Sequence, residues 1–137
     1  MEIEERIKAV EVVAPGMDPP VVADASTVLR EAVRQMRDER SGRALLTHNG
    51  KLAGIFAERD LLARVVAEEI DPEECTIGET MARAPETIEL ESSLAQAFHR
   101  MMVSDLRYLP LIDDEERPVS IVTSRDLIDF LSARFES

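Results

Sequence analysis

Apolar residues recur along this chain in two rhythms, one of period two and one of period near 3.6. Val28, Ala32, Val33 and Met36 fall on one face of a helix, as do Leu94, Ala97, Phe98, Met101 and Met102 further on. Before each helix stands a short strand-like run, Pro20-Val21-Val22 or Thr87-Ile88, with polar helix starts expected at Asp24-Ala25-Ser26-Thr27 and at Glu91-Ser92-Ser93. After each comes a hairpin. In the first, Ala44-Leu45-Leu46-Thr47 and Lys51-Leu52-Ala53-Gly54-Ile55-Phe56 flank an Asn49-Gly50 turn signal; the second runs from Tyr108 to Ile112 and from Pro118 to Val122 across an acidic turn. A second helix closes each half, carrying Leu61, Leu62, Val65 and Val66, or Leu127, Ile128, Phe130 and Leu131. Ile3, Ile7 and Val10 share a helical face at the N-terminus, where Pro15-Gly16 and Pro19-Pro20 end the segment.

The two halves are copies of one unit. Laid on itself without a gap, the chain aligns Arg59-Asp60-Leu61 with Arg125-Asp126-Leu127, an offset of 66 (126 − 60). Ser26, Arg34, Met36, Leu45 and Ile55 then also meet identical residues. Two copies with so long a period predict a face-to-face pair rather than a solenoid. The expected fold is α+β, a tandem β-α-β-β-α duplication packed about a pseudo-twofold axis, because neither small sheet can bury both faces alone.

Charge narrows the choice of partners. Sixteen basic residues against twenty-eight acidic ones give a net charge of −12, so the molecular field repels nucleic acid. An anionic small molecule would need a site made locally, from arginines and helix N-termini. No secretion signal or membrane span is legible, so a soluble cytoplasmic protein is expected. Cys75 stands alone, without a second thiol for a disulfide or metal pair, and is read as incidental. His48 sits in a turn and His99 on a polar helix face, neither placed beside a nucleophile, so no catalytic set is expected. The acidic run Asp113-Asp114-Glu115-Glu116 reads as a solvated turn, and no metal is proposed.

The most informative segment is Ser120-Ile121-Val122-Thr123-Ser124-Arg125-Asp126-Leu127, a strand running directly into a helix. Thr123 and Asp126, three residues apart, have the spacing of a capping box. A corner with free amides, a hydroxyl and an arginine also suits a phosphate, and its carboxylate can accept hydrogen bonds from ribose hydroxyls. The two readings are compatible.

These residues resemble the cystathionine-β-synthase-type, or CBS, domain family. The resemblance rests on residues 54–62, Gly54-Ile55-Phe56-Ala57-Glu58-Arg59-Asp60-Leu61-Leu62, on Arg107-Tyr108-Leu109-Pro110-Leu111-Ile112, on Ile121 to Ile128, and on the connection from Asp71 to Met81. It implies a regulatory, non-catalytic pair of repeats that binds an adenosyl ligand such as AMP, ADP, ATP or S-adenosylmethionine and signals to an effector protein. The family pattern would assign Thr123 and Arg125 to phosphate, Asp126 to ribose, and the backbone around Ala84-Pro85 and Tyr108-Leu109-Pro110 to the base. Arg59 and Asp60 would serve the first copy, where Ala57 replaces the family's hydroxyl and removes both a phosphate contact and a helix cap; Ser120 replaces the glycine of the second. Two unequal sites are therefore expected, the stronger at Asp126. The implied organisation is an N-terminal helix and linker at 1–20, a first repeat at 21–66, a connection at 67–86 and a second repeat at 87–135. The surplus apolar residues of the second helices, Phe135 included, imply a homodimer. A dimerisation scaffold with decayed clefts is the alternative.

Overall fold

The computed structural model describes residues 20–83, 86–126, 128–129 and 132; the expected N-terminal helix lies outside them. The first copy runs β1 (Val21–Asp24), α1 (Leu29–Asp38), β2 (Arg43–His48), β3 (Lys51–Ala57) and α2, which opens at Glu58–Asp60 and widens into π-type turns over Leu61–Val66. The second runs β4 (Ile88–Glu89), α3 (Leu94–Ser104), β5 (Tyr108–Ile112) and β6 (Pro118–Thr123), after which residues 124–126 and 128–129 are helical. Each copy holds a three-stranded sheet, in order β1-β2-β3 or β4-β5-β6. Its first two strands are parallel, an arrangement that needs the intervening helix as a crossover. The chain divides into two compact units, of which the first also takes in Glu116–Pro118. No helix among the described residues is long and apolar enough to cross a membrane.

In the first unit α1 lays Leu29, Ala32 and Met36 on Ala44, Leu46 and Phe56 of the sheet. In the second, Ala97 and Met101 of α3 meet Ile88, Leu109, Leu111 and Val122. These contacts correct the gapless offset. Ala32 and Met36 correspond to Ala97 and Met101, 65 residues on (97 − 32), and the left-handed residues ending the two helices, Arg40 and Asp105, are also 65 apart (105 − 40). The offset becomes 66 only past the turn of the second hairpin, which is one residue longer. Asn49 and Gly50, at φ 53° and 80°, make the tight first turn. Val28 and Met102 accordingly leave the core positions expected of them and are 45% and 78% exposed.

The expected start of α1 at Asp24–Thr27 is also corrected. Asp24 instead accepts the amide and hydroxyl of Ser26, at 2.8 and 2.6 Å, and holds a turn ahead of the helix. The helix begins at Leu29 behind Val28, which offers no side-chain cap. Its first amides go to the connection: Leu29 donates to the Cys75 carbonyl at 2.9 Å and Arg30 to that of Pro72 at 3.0 Å. Ile77 and Gly78 donate in return to the carbonyls of Thr27 and Ala25, at 2.8 and 2.9 Å. The connection is thus part of the first unit, with Ile77 fully buried in its core. Gly78 permits this seat, since a Cβ there would stand 2.7 Å from the Ala25 carbonyl oxygen. In α3 the polar start does cap the helix: Ser93 accepts the Gln96 amide at 3.2 Å, and the Gln96 side chain accepts the Ser93 amide at 2.8 Å.

Two predictions follow from this packing. Ile77→Ala should lower the unfolding free energy by about 2–5 kcal/mol, the usual cost of emptying a buried isoleucine site, whereas a connection acting as a mere tether would leave urea unfolding unchanged. Glu89 gives the second. Burial opposes its ionisation, but its own backbone amide, the Ser92 hydroxyl at 3.1 Å and Arg100 at 3.4 Å prevail and hold its carboxyl below the ordinary 4.5. A carboxylate with a lowered folded-state pKa adds stability that is complete above its unfolded value and is lost as pH falls through the folded one. Glu89→Gln should therefore flatten the loss of stability below pH 4.5, read from urea midpoints across an acid pH series.

Candidate functional site

Where a strand turns into a helix, its last amides leave the sheet before the helix can use them. The corner at the end of β6 resolves this locally. The Thr123 amide donates to Asp126 Oδ2 at 2.8 Å, and Thr123 Oγ1 accepts the Asp126 amide at 3.1 Å. The capping reading therefore holds. The next amide, of Ser124, donates at 2.8 Å to the carbonyl of Arg107, just before β5. Three of the four amides from Thr123 to Asp126 are thus committed within the protein, so the expectation of a corner lined by free amides is corrected. The Thr123 hydroxyl, having used a lone pair, keeps its proton for an outside acceptor.

Of the residues expected here, Thr123, Arg125 and Asp126 share the corner, and the Ser124 bond brings the start of β5 beside them. Thr123 and Asp126 are deep-set, at 8% and 5% exposure. Arg125 is exposed, with its Nε 3.3 Å from Asp129 Oδ1 one turn along. Tyr108 is half-buried, whereas Leu109 and Pro110 are buried and Leu109 packs into the core. Ala84 and Pro85 lie outside the described residues.

The first corner repeats half of this arrangement. Asp60 Oδ2 accepts the Ala57 amide at 2.8 Å, but Ala57 has no oxygen to return the bond. The Glu58 amide donates to Gly42, at 3.1 Å, as Ser124 does to Arg107. Asp60 is 8% exposed and Arg59 exposed. Gly54, the family's glycine, is spent on packing: a Cβ there would lie 2.5 Å from Met81 Sδ and 2.7 Å from the Ala82 carbonyl, where the connection pairs with β3 through Ile55. Two features escaped the sequence reading. Arg64, one turn after Asp60, places its Nε 3.4 Å from Asp60 Oδ1, a contact that the i,i+4 spacing alone would have flagged. A cavity of about 310 Å³ opens between the end of α1 and the start of α2, with Val33, Met36, Phe56 and Leu61 as its apolar lining and Arg40 and Glu58 among its charged groups.

Comparison with known proteins agrees with this architecture. The CBS domain family model matches residues 9–67 and 77–133. The CBS domain-containing protein CBSCBSPB1 of Arabidopsis thaliana is 34% identical over 101 residues, 74% of this chain but 18% of its own length. Arabinose 5-phosphate isomerase KdsD of Francisella tularensis is 28% identical over 122 residues, 89% of this chain and 37% of its own. The chain therefore spans well under half of these relatives. Among solved structures, the CBS domain pair of protein MJ0100, in complex with 5′-methylthioadenosine and S-adenosyl-L-methionine, superposes with a TM-score of 0.71 at 24% identity, covering 95% of this chain and 98% of that one. The CBS domain protein PAE2072 from Pyrobaculum aerophilum, complexed with AMP, gives 0.70 at 22% identity, covering 90% of each. Two family matches, the repeated strand-to-helix corner and these superpositions lead to one conclusion: the chain belongs to the CBS domain family and has the fold of a CBS domain pair.

Proposed function

We propose that this chain is a regulatory, non-catalytic module that binds an adenosyl ligand, with the corner at Thr123 and Asp126 as its stronger site, and passes the signal to an effector protein. The observation that carries this reading is the deep-set Asp126 carboxylate, oriented by the Thr123 amide beside a hydroxyl that still has a proton to donate. Such a pair offers an acceptor to ribose hydroxyls and a donor to phosphate. Arg125 adds a positive charge at the rim, and the backbone of Ala84-Pro85 and Tyr108-Leu109-Pro110 would take the base. The adenosyl compounds bound by MJ0100 and PAE2072 support the ligand class. At the first corner Arg59 and Asp60 would act without a hydroxyl, which makes that site the weaker.

Assembly is part of the proposal. Of the second-helix residues expected at a dimer contact, Val65 is buried, while Leu62, Val66 and Ile128 are 64%, 61% and 50% exposed; Leu127, Phe130, Leu131 and Phe135 lie outside the described side chains. Exposed apolar side chains spaced one turn apart are a surface that a second copy would cover.

Calorimetric titration with AMP, ADP, ATP and S-adenosylmethionine tests the ligand. Asp126→Ala should weaken binding tenfold to a hundredfold, the effect of losing about 1–3 kcal/mol of hydrogen bonding, and Asp60→Ala should weaken it less. Unchanged affinity in Asp126→Ala, with only a lower melting temperature, would reduce the carboxylate to a cap and favour the scaffold. The dimer has its own measurement: the parent chain should have a dimeric mass at micromolar concentration, and Leu62→Asp with Val66→Asp should shift it to the monomer.

A further inference from the structure

We propose that Arg64 is a built-in occupant of the first corner, and that it biases this corner toward adenosyl ligands carrying an anionic group and against neutral ones. The inference rests on the adenosyl reading of the corners and adds a selectivity determinant to it.

Both oxygens of Asp60 are engaged. Oδ2 accepts the Ala57 amide at 2.8 Å, and Oδ1 faces Arg64 Nε at 3.4 Å. With the Asp60 side chain only 12% exposed, a ribose hydroxyl reaches this carboxylate chiefly by replacing the arginine. The guanidinium is also tethered at its far end, where Nη1 lies 3.4 Å from the Met81 carbonyl. That segment is itself fixed, since Ile55 and Ala82 exchange amide-to-carbonyl bonds at 2.8 and 3.0 Å. In sequence the residue corresponding to Arg64 is Phe130, 66 further on (130 − 64), which has no donor. At this position, then, the sequence supplies a cation in the first copy and an aromatic ring in the second.

The consequence depends on the ligand's charge. A neutral nucleoside must break the contact between Arg64 and Asp60 and leaves the displaced guanidinium with nothing in exchange. A ligand with a phosphate gives the same guanidinium a new anionic partner, to which it is well matched. A partly exposed ion pair of this type corresponds to about a two- to fivefold handicap for the neutral ligand.

The test compares adenosine and AMP in calorimetric titrations of Asp126→Asn, in which asparagine keeps an acceptor for the Thr123 amide while the second corner is weakened, with and without Arg64→Met. Removing the arginine should tighten adenosine about two- to fivefold and loosen AMP, so that the preference for AMP over adenosine falls. Arg64→Lys, which retains charge without the planar guanidinium, should keep most of the AMP preference. An altered fold would move both ligands in the same direction, so a change in their ratio identifies the ligand effect. Adenosine binding that is unchanged or weaker in Arg64→Met would overturn the proposal while leaving the adenosyl reading intact, provided the parent chain binds AMP. A parent chain that binds neither ligand would defeat the proposal, and one that also fails to bind ADP, ATP and S-adenosylmethionine would defeat the adenosyl reading with it.

Discussion

An amide at the end of a strand loses its sheet partner when the chain turns into a helix, and both copies of this protein are built around that constraint. Both copies answer it with an aspartate three residues on, whose carboxylate reaches back over the turn. Both tie the following amide to the carbonyl just before the middle strand, at Gly42 or Arg107. Two bonds thereby fix the third strand, the second helix and the start of the middle strand as one corner. The carboxylate proposed to receive a ligand is the same group that holds the backbone together, which explains why it is nearly buried and fixed in orientation.

The copies diverge in what surrounds this shared geometry. In the second corner a threonine completes the reciprocal bond. In the first, alanine cannot, and an arginine approaches the other face of the carboxylate. The glycine of the first copy serves the connection, because only a residue without a side chain lets Met81 and Ala82 lie against β3. A residue type shared with a family can therefore stand at its expected place while packing, rather than a ligand, accounts for it here.

Much of this was legible in the residues. The duplicated Arg-Asp-Leu, the Asn49-Gly50 turn and the three-residue spacing of Thr123 and Asp126 each carry a local mechanism, and each appears in the fold as that mechanism requires. The register was not fully legible. Matches such as Ser26 with Ser92 drew the alignment to a single offset, whereas one additional residue in the second turn divides it in two; identity over a few polar positions outweighed the core periodicity that decides burial. Val28 shows the same effect, one position away from the leucine that enters the core. The start of α1 is illegible in the sequence for another reason. Its amides are satisfied by carbonyls more than forty residues away in sequence, and no local pattern announces a partner at that range.

That distant partnership bears on the order in which the protein can be made. A nascent chain that has emerged only as far as Val66 contains every strand and helix of the first copy, yet the opening amides of α1 have no carbonyls to meet and the socket filled by Ile77 stands empty. The first copy becomes structurally whole only once the connection has left the ribosome as well. The boundary between the copies thus lies later in the completed structure than the repeat in the sequence would place it.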